Sequence, residues 1–234
     1  MCVVALALDM HPQWRIILAG NRDEFHARPS APLARWEGAD SDIIAGRDLV
    51  SGGTWLGVSE QGRMAVVTNI RTGDLPDPAK TSRGDLVLDY LRSKDTPDGA
   101  TLDSFNAFSL ITIGLEGASL TANRPSPMAQ PITPGVHGLS NGLPNEDWPR
   151  KSRLMAAFGD VIDTAENLPA AMLDLLSSET IDESIFIRSD VYGTRCSTVV
   201  LVDYTGASQI IERRFGPDGV TDGETKVCFD FGIL

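Results

Sequence analysis

Two short apolar segments, residues 3–9 and 14–19, open the chain, and a turn that contains Pro12 separates them. Aliphatic and β-branched side chains dominate both segments, which is typical of strands. A proline-containing turn between two such runs predicts a hairpin. So short a connection joins only antiparallel neighbours, since a parallel pair needs a long crossover. The N terminus therefore predicts an antiparallel sheet.

The same hairpin pattern recurs along the chain. Further strands are predicted at residues 53–59 with 64–69, 105–114 with 118–123, 197–204 with 209–215, and 226–231. Helices are predicted between them: one capped by Ser82, one opening at Pro149, and a shorter one over residues 170–176. The strict strand–helix alternation of a doubly wound parallel sheet is missing. We expect one domain that spans residues 1–234.

The charge balance and the cysteine count exclude several classes of protein. The chain has 32 acidic and 20 basic residues, a net charge of −12, which argues against a nucleic-acid partner because phosphate backbones need a positive field. No apolar run reaches the roughly 18 to 20 residues of a membrane helix, so we expect no integral membrane segment. Three distant cysteines argue against a secreted disulfide scaffold. We expect a cytoplasmic protein.

Standard nucleotide and metal motifs are not found in the sequence, and its one match to an esterase motif does not hold. It contains no P-loop, no H-E-x-x-H and no C-x-x-C pattern, so we expect no metal and no cofactor. The segment Gly138-Leu139-Ser140-Asn141-Gly142 fits the nucleophile elbow G-x-S-x-G. In that architecture the catalytic histidine follows the serine, whereas all three histidines of this chain precede it. The elbow interpretation therefore fails.

The second residue, Cys2, leads directly into the first predicted strand. Aminopeptidases remove an initial methionine when the next side chain is small, so loss of Met1 would leave a thiol and a free α-amine on one residue. Such an amine exchanges its proton near neutral pH and can serve the thiol as a base, without any histidine. The alternative is that Cys2 is a small, buried apolar residue.

A polar segment, Asn21-Arg22-Asp23-Glu24, follows the second apolar run. If the first two strands pair so that the residue numbers of each pair add to 25, Cys2 lies opposite the region of residues 21–23. The Asp23 carboxylate could then hold the α-amine, and Arg22 could stabilise charge beside it. The alternative is a solvated end of a strand.

Several motifs together carry a resemblance to a known family. They are Met1-Cys2, Asn21-Arg22-Asp23-Glu24 with Arg28-Pro29, Ala45-Gly46-Arg47-Asp48, Gly52-Gly53-Thr54-Trp55-Leu56-Gly57, Val67-Thr68-Asn69-Ile70-Arg71, Gly138-Leu139-Ser140-Asn141, Trp148-Pro149 and Tyr192-Gly193-Thr194-Arg195-Cys196-Ser197-Thr198. Over its whole length the chain resembles the NRDE-motif family, also called transport and Golgi organisation protein 2. That family is linked to secretory organisation, lipid metabolism and haem trafficking.

The N-terminal half is also distantly similar to the choloylglycine hydrolases, which include penicillin V acylases and bile salt hydrolases. This resemblance implies an α+β fold, a four-layer αββα sandwich of antiparallel sheets, and cleavage of linear amides by an N-terminal cysteine. It equates the catalytic residues of those enzymes with Cys2, Asp23, Asn69, Asn141 and Arg195 of this chain.

The resemblance also implies roles for these residues. Asn69 and Asn141 would donate N–H groups to the substrate oxygen, and Arg195 or Arg22 would supply fixed positive charge. The pattern departs at one place, because the arginine that those enzymes carry three residues before the aspartate is Gly20 here. Gly20 and Arg22 share a strand face, which makes Arg22 the candidate replacement.

Together these features predict an N-terminal cysteine hydrolase that cleaves a linear C–N bond of an N-acylated substrate after Met1 is removed. Asn21 and Arg22 are predicted to contact the substrate. One alternative is a non-enzymatic carrier of haem or an acyl lipid on the same fold. A trafficking scaffold is a further alternative. The expected partner is a small-molecule substrate or a hydrophobic ligand, and the sequence predicts no oligomeric state.

Overall fold

A computed structural model describes residues 2–93, 99–180 and 184–232 of the chain. Its strands are β1 (Val3–Leu8), β2 (Trp14–Phe25), β3 (Ser30–Arg35), β4 (Ile43–Asp48), β5 (Leu56–Ser59), β6 (Arg63–Asn69), β7 (Phe108–Gly114), β8 (Gly117–Ala122), β9 (Met128–Ile132), β10 (Gly135–Leu139), β11 (Tyr192–Asp203), β12 (Ala207–Phe215) and β13 (Thr221–Asp230). The helices are α1 (Arg83–Leu91), α2 (Pro149–Thr164) and α3 (Leu168–Leu176), and short 3-10 turns cover Gly38–Asp40, Gly99–Ser104 and Pro217–Gly219.

The chain forms two compact units that interleave in sequence. The first unit consists of Met1–Arg28, Pro134–Ser140 and Asp147–Asp230, and the second of Pro29–Thr133, Asn141–Glu146 and Phe231–Leu234. The prediction of a single domain over residues 1–234 stays a prediction.

The first unit is built on a six-stranded antiparallel sheet in the order β10-β1-β2-β11-β12-β13. Every residue of β1 is buried, so this strand is covered on both faces. On one face, Val3, Ala5 and Ala7 belong to an apolar cluster with residues of α2 and α3. Cys2 therefore directly precedes a strand that lies between two others, β10 and β2, and not at the edge of the sheet.

Helices α2 and α3 form where the sequence predicts them. Pro149 occupies the first turn of α2, where its missing N–H has no partner to lose, and Leu154, Phe158 and Ile162 recur every four residues on the buried face. In α3, the Asn167 side chain caps the helix by accepting from the amide of Ala170 at 3.4 Å. That helix begins at Leu168, two residues before the predicted start of residue 170.

The second unit contains a seven-stranded antiparallel sheet in the order β3-β4-β5-β6-β7-β8-β9, and α1 packs on it. The Ser82 hydroxyl accepts from the amide of Gly84 at 3.3 Å and caps α1, as predicted. A Cβ on Gly53 would lie 2.7 Å from the carbonyl carbon of Gly84, so the glycine allows the start of α1 to approach the Gly53 backbone.

These features confirm the predicted α+β class with antiparallel sheets. The predicted hairpins form, but the sequence analysis missed β3, β4, β9 and β10. Three of these strands lie at sheet edges, and β3 and β9 each contain a proline, so they lack the apolar pattern of central strands. Within the described residues, no helix combines the length and the apolar character needed to cross a bilayer. The cytoplasmic location stays a prediction.

The predicted register of the first hairpin is wrong by one residue. Val3 pairs with Asn21 and Leu8 with Ile16, so the residue numbers of each pair add to 24 and not to 25. The register of a hairpin follows from its turn. This turn begins at Asp9, which has a left-handed φ of 54°. The Asp9 amide donates to the Arg15 carbonyl at 2.8 Å. The correction changes which residue lies opposite Cys2.

The apolar cluster under α2 generates a test of stability. We expect Leu154→Ala to lower the free energy of unfolding by about 2–5 kcal/mol, because Leu154 is fully buried and its truncation leaves a cavity. The matched control is Leu75→Ala, a side chain that is 94% exposed, which should change stability by no more than about 0.5 kcal/mol. Urea denaturation monitored by circular dichroism measures both, and equal losses would contradict the assignment of this core.

Candidate functional site

Cys2 immediately precedes β1 in the first unit. Its side chain is buried, with 8% of its surface exposed, and its thiol is in no disulfide. The Ser140 hydroxyl donates to the Cys2 carbonyl oxygen at 3.3 Å, which ties the start of β1 to the segment after β10. Ser140, the serine of the rejected elbow motif, thus helps to hold the main chain at Cys2.

The corrected register sets Cys2 beside Arg22. Extending the Val3–Asn21 pair by one step brings Cys2 opposite Arg22, which lies within the predicted region 21–23 but one residue before the position that a sum of 25 gives. Side chains alternate between the two faces of a strand. Val3 belongs to the cluster with α2 and α3, so Cys2 and Arg22 lie on the opposite face of the sheet. We call this the thiol face of the first unit, and the other the helix face.

Arg22 pairs across β2 and β11 with Cys196, so the thiol face carries Cys2, Arg22 and Cys196 in one row. Burial raises the pKa of the Cys196 thiol well above its usual range. The nearby Glu212 carboxylate acts in the same direction, and the Arg22 charge acts against both. Cys196 is therefore a neutral thiol at physiological pH and a poor nucleophile, because thiolates carry that reactivity.

Asp23 belongs to the helix face, where its carboxylate is fully buried. The Thr194 hydroxyl donates to Asp23 Oδ1 at 2.7 Å, and the Arg150 guanidinium donates to Asp23 Oδ2. Arg150 also donates to the Ile185 carbonyl. A buried carboxylate with two such donors is held in one orientation.

Arg150 is the residue at this site that the sequence analysis missed. The sequence analysis considered Arg22 and Arg195 as sources of positive charge, whereas the guanidinium that contacts Asp23 comes from Arg150 in the first turn of α2. The Trp148-Pro149 motif, which carries part of the family resemblance, directly precedes Arg150 and is the signal that could have identified it.

Asn21 connects β2 to the helix side of the unit. Its Nδ2 donates to the carbonyls of Leu176 at 2.8 Å and Ile185 at 2.9 Å, and its Oδ1 accepts from the Ser197 hydroxyl at 2.6 Å. Leu176 is the last residue of α3, where carbonyls lack helical partners. These contacts give Asn21 a structural role, and its predicted contact with substrate stays a prediction.

Arg195 occupies a bulge in β11, between Thr194, which pairs with Asp23, and Cys196, which pairs with Arg22. Its Nη1 donates at 3.0 to 3.1 Å to three carbonyls, those of Phe25, His26 and Arg28. Burial lowers the pKa of the Arg195 guanidinium, and the charge of Arg22 adds to that effect. Arg195 thus holds the turn that follows β2.

The two predicted asparagines lie in the second unit, and the structure brings them together. Asn69 ends β6 with an exposed side chain, whereas Asn141 is buried. The Asn141 Nδ2 donates to the main-chain oxygen of Asn69 at 2.8 Å, and the Arg71 amide donates to the Asn141 carbonyl at 2.8 Å. One N–H of Asn141 is therefore already used within the protein.

The side chains of the described ranges form no group of three or more histidine, cysteine, aspartate or glutamate residues that could hold a metal ion. The polar groups described above are therefore arranged for hydrogen bonding and ion pairing. Their chemistry is that of a thiol beside a guanidinium on one sheet face, with a fixed carboxylate on the other.

Two solved structures are similar to this chain in fold. The N-acylethanolamine-hydrolyzing acid amidase ortholog of Caenorhabditis elegans matches with a TM-score of 0.57 and 12% identity, over 86% of this chain and 92% of that chain. The C2A mutant of the conjugated bile acid hydrolase from Clostridium perfringens matches with a TM-score of 0.51 and 8% identity, over 100% of this chain and 95% of that chain. The chain therefore has the N-terminal nucleophile hydrolase fold that the sequence predicts.

Comparison of sequences is more specific. The family model described as transport and Golgi organisation 2 matches residues 1–217. The human transport and Golgi organization protein 2 homolog is 31% identical over 97% of each chain, and transport and Golgi organization protein 2 of Drosophila melanogaster is 26% identical over 91% of each. These matches extend over nearly the whole length, as the motif resemblance does. The chain thus belongs to the transport and Golgi organisation 2 family.

Proposed function

We propose that this chain is an N-terminal cysteine hydrolase that cleaves a linear amide C–N bond of an N-acylated substrate. The observation that carries the proposal is the position of Cys2, a buried thiol outside any disulfide directly before β1, with Arg22 opposite it when the register of β1 and β2 is extended by one residue. The similar solved structures support it, because one is named as an N-acylethanolamine-hydrolyzing amidase and the other as the C2A mutant of a conjugated bile acid hydrolase.

The reaction begins when removal of Met1, which lies outside the described residues, frees the α-amine of Cys2. That amine takes the thiol proton, and the sulfur adds to the amide carbon while an electron pair moves onto the carbonyl oxygen. The C–N bond then breaks as the ammonium returns the proton to the leaving nitrogen. Water adds to the resulting thioester, the C–S bond breaks, and the acid and the thiol are released.

Asp23 would orient the α-amine during these proton transfers. It lies one residue beyond the point where β2 is opposite Cys2, and Thr194 and Arg150 each hold one of its carboxylate oxygens. A carboxylate fixed in this way keeps one orientation, which is the preorganisation that acyl transfer needs. Asn69, Asn141 and Arg195 have in this proposal the roles that the family resemblance implies.

The carrier alternative, binding of haem or an acyl lipid without chemistry, does not depend on the thiol or the free amine. The two experiments below therefore separate it from the hydrolase.

We expect Cys2→Ala to lower the turnover of a lauroyl amide of aminomethylcoumarin by about 10⁴-fold or more, because it removes the nucleophile. The matched control is Cys228→Ala, which removes an exposed thiol of β13 and should leave turnover unchanged. Fluorescence of the released amine measures both, and near-ultraviolet circular dichroism checks the fold. Turnover that survives in Cys2→Ala would exclude this mechanism and favour the carrier.

We expect an uncleavable N-terminal tag to abolish turnover, since it keeps the α-amine in a peptide bond while the thiol remains. The same tag at the C terminus should leave turnover intact. Intact-mass spectrometry shows which molecules retain residues before Cys2, and fluorescence measures activity in the same samples. Full activity in molecules that retain Met1 contradicts a role for the amine.

A further inference from the structure

Strand β13 is the last strand of the six-stranded sheet, so in the described part of the chain one of its two sides has no neighbouring strand. β13 is ten residues long and pairs with β12. Every second residue from Asp222 to Asp230 is exposed. The N–H and C=O groups along an unpaired side of a strand can pair with another extended chain, which makes this edge a candidate interaction surface.

The exposed face of β13 carries charges of both signs. Arg213 on β12 donates to the Glu224 carboxylate at 2.9 Å. The side chains of Lys226 and Asp230, by contrast, make no hydrogen bond or ion pair with any residue that the structure describes. Cys228 lies between these two on the same face, and its thiol is exposed. Two opposite charges four residues apart are complementary to a strand that presents them in the reverse order.

A second copy of β13 presents the charges in that reverse order when it lies antiparallel to the first. In an antiparallel pair, directly opposed residues either both direct their main-chain N–H and C=O groups at each other or both direct them away. This direction alternates along a strand, so even-numbered residues lie opposite even-numbered ones and odd opposite odd. Two identical strands related by a two-fold axis therefore pair about one residue that lies opposite its own counterpart.

Most of these registers are unfavourable for the charges. Registers centred on Glu224, Lys226 or Asp230 place that charge opposite itself, and the register centred on Val227 places Glu224 opposite Asp230. Like charges that are directly opposed destabilise a sheet. The register centred on Phe229 leaves Lys226 without an opposite charge.

The register centred on Thr225 places Lys226 opposite Glu224, which is an attractive pair. Its Glu224 carboxylate is already bound by Arg213 of its own chain. This register also extends through Asp222, where β13 has one residue more than β12 and the regular pairing is interrupted. Such bulges bend an edge strand and hinder pairing with a further strand.

We propose that two copies of this chain associate by antiparallel pairing of their β13 strands, with the two-fold axis at Cys228. Lys226 of each copy then lies opposite Asp230 of the other, so each uncommitted charge gains a partner. The Cβ atoms of directly opposed residues are about 4.5–5.5 Å apart, within reach of an ion pair. On the other face of the strand, Val227 lies opposite Phe229, and both side chains are apolar. The pairing continues one sheet into the other, and the symmetric contact closes with two copies.

The first test measures the mass of the full-length chain in solution by sedimentation equilibrium. We expect the wild type to reach twice the mass of one chain as its concentration rises. Lys226→Glu and Asp230→Lys each place like charges opposite each other at two positions, so we expect either variant to raise the dissociation constant of the dimer by about 10-fold or more. An equal mixture of the two variants restores both opposite-charge pairs and should form a heterodimer.

The matched control for these variants is Glu116→Lys, which makes the same change of charge as Asp230→Lys in the exposed turn between β7 and β8. It should dimerise like the wild type. A wild type that stays monomeric up to about 1 mM, the dissociation constant of a very weak complex, overturns the inference. A dimer that both single variants retain lies on another surface and overturns it too, as does a mixture of folded variants that stays monomeric.

The second test determines the register through the exposed thiol. Diamide takes up two electrons and two protons as it joins two thiols in a disulfide, and non-reducing electrophoresis shows the covalent dimer. We expect the wild type to be cross-linked and Cys228→Ala not, because Cys2 and Cys196 are buried. In the Cys228→Ala background, Glu224→Cys places an exposed thiol on the same face without a thiol opposite it, and it should react about 10-fold more slowly. Equal rates at the two positions contradict an axis at Cys228.

Discussion

The buried ion pair between Asp23 and Arg150 joins the end of β2 to helix α2, and the polar end of the six-stranded sheet depends on it. Burying two charges is costly unless the pair is well oriented and its other hydrogen-bonding groups are satisfied. Here Thr194 donates to the second carboxylate oxygen, and the Ile185 carbonyl accepts from the guanidinium. Asn21 adds neutral contacts to Leu176, Ile185 and Ser197. β2 can therefore stay extended and buried while its sequence becomes polar.

Because side chains alternate between the two faces of a strand, the Asn21-Arg22-Asp23-Glu24 motif is divided between the two faces of the sheet. Asn21 and Asp23 point to the helix face, where their partners position the strand. Arg22 and Glu24 point to the thiol face with Cys2, and their side chains form a loose ion pair at 3.8 Å. A motif that is one polar run in sequence thus becomes two pairs of side chains on opposite faces. Asn21 and Asp23 hold in place the strand whose other face carries Arg22 and Glu24.

Local patterns in the sequence predict much of this fold, since hairpin turns, the Ser82 cap and Pro149 each act within a few residues. The edge strands β3, β9 and β10 have no such pattern, because water or a single neighbour satisfies an edge. The register error arises at the turn between β1 and β2, which begins at Asp9 in a left-handed conformation that the sequence analysis did not predict. Arg150 lies 127 residues from Asp23 in sequence, so their contact follows from the tertiary fold, and the Trp148-Pro149 motif marks the segment without indicating its partner. The resemblance pointed to Cys2 and Asp23, and the structure was needed to find the arginine that contacts Asp23.

The interleaving of the two units has a consequence for biosynthesis. Most of the second unit is the continuous segment Pro29–Thr133, which can fold while the ribosome still holds the rest of the chain. The first sheet cannot be completed then, because β2 pairs with β11, whose residues leave the ribosome much later. Strands β1 and β2 therefore wait through most of translation for the strand that completes their sheet, and until then the residues before β1 are not enclosed by it.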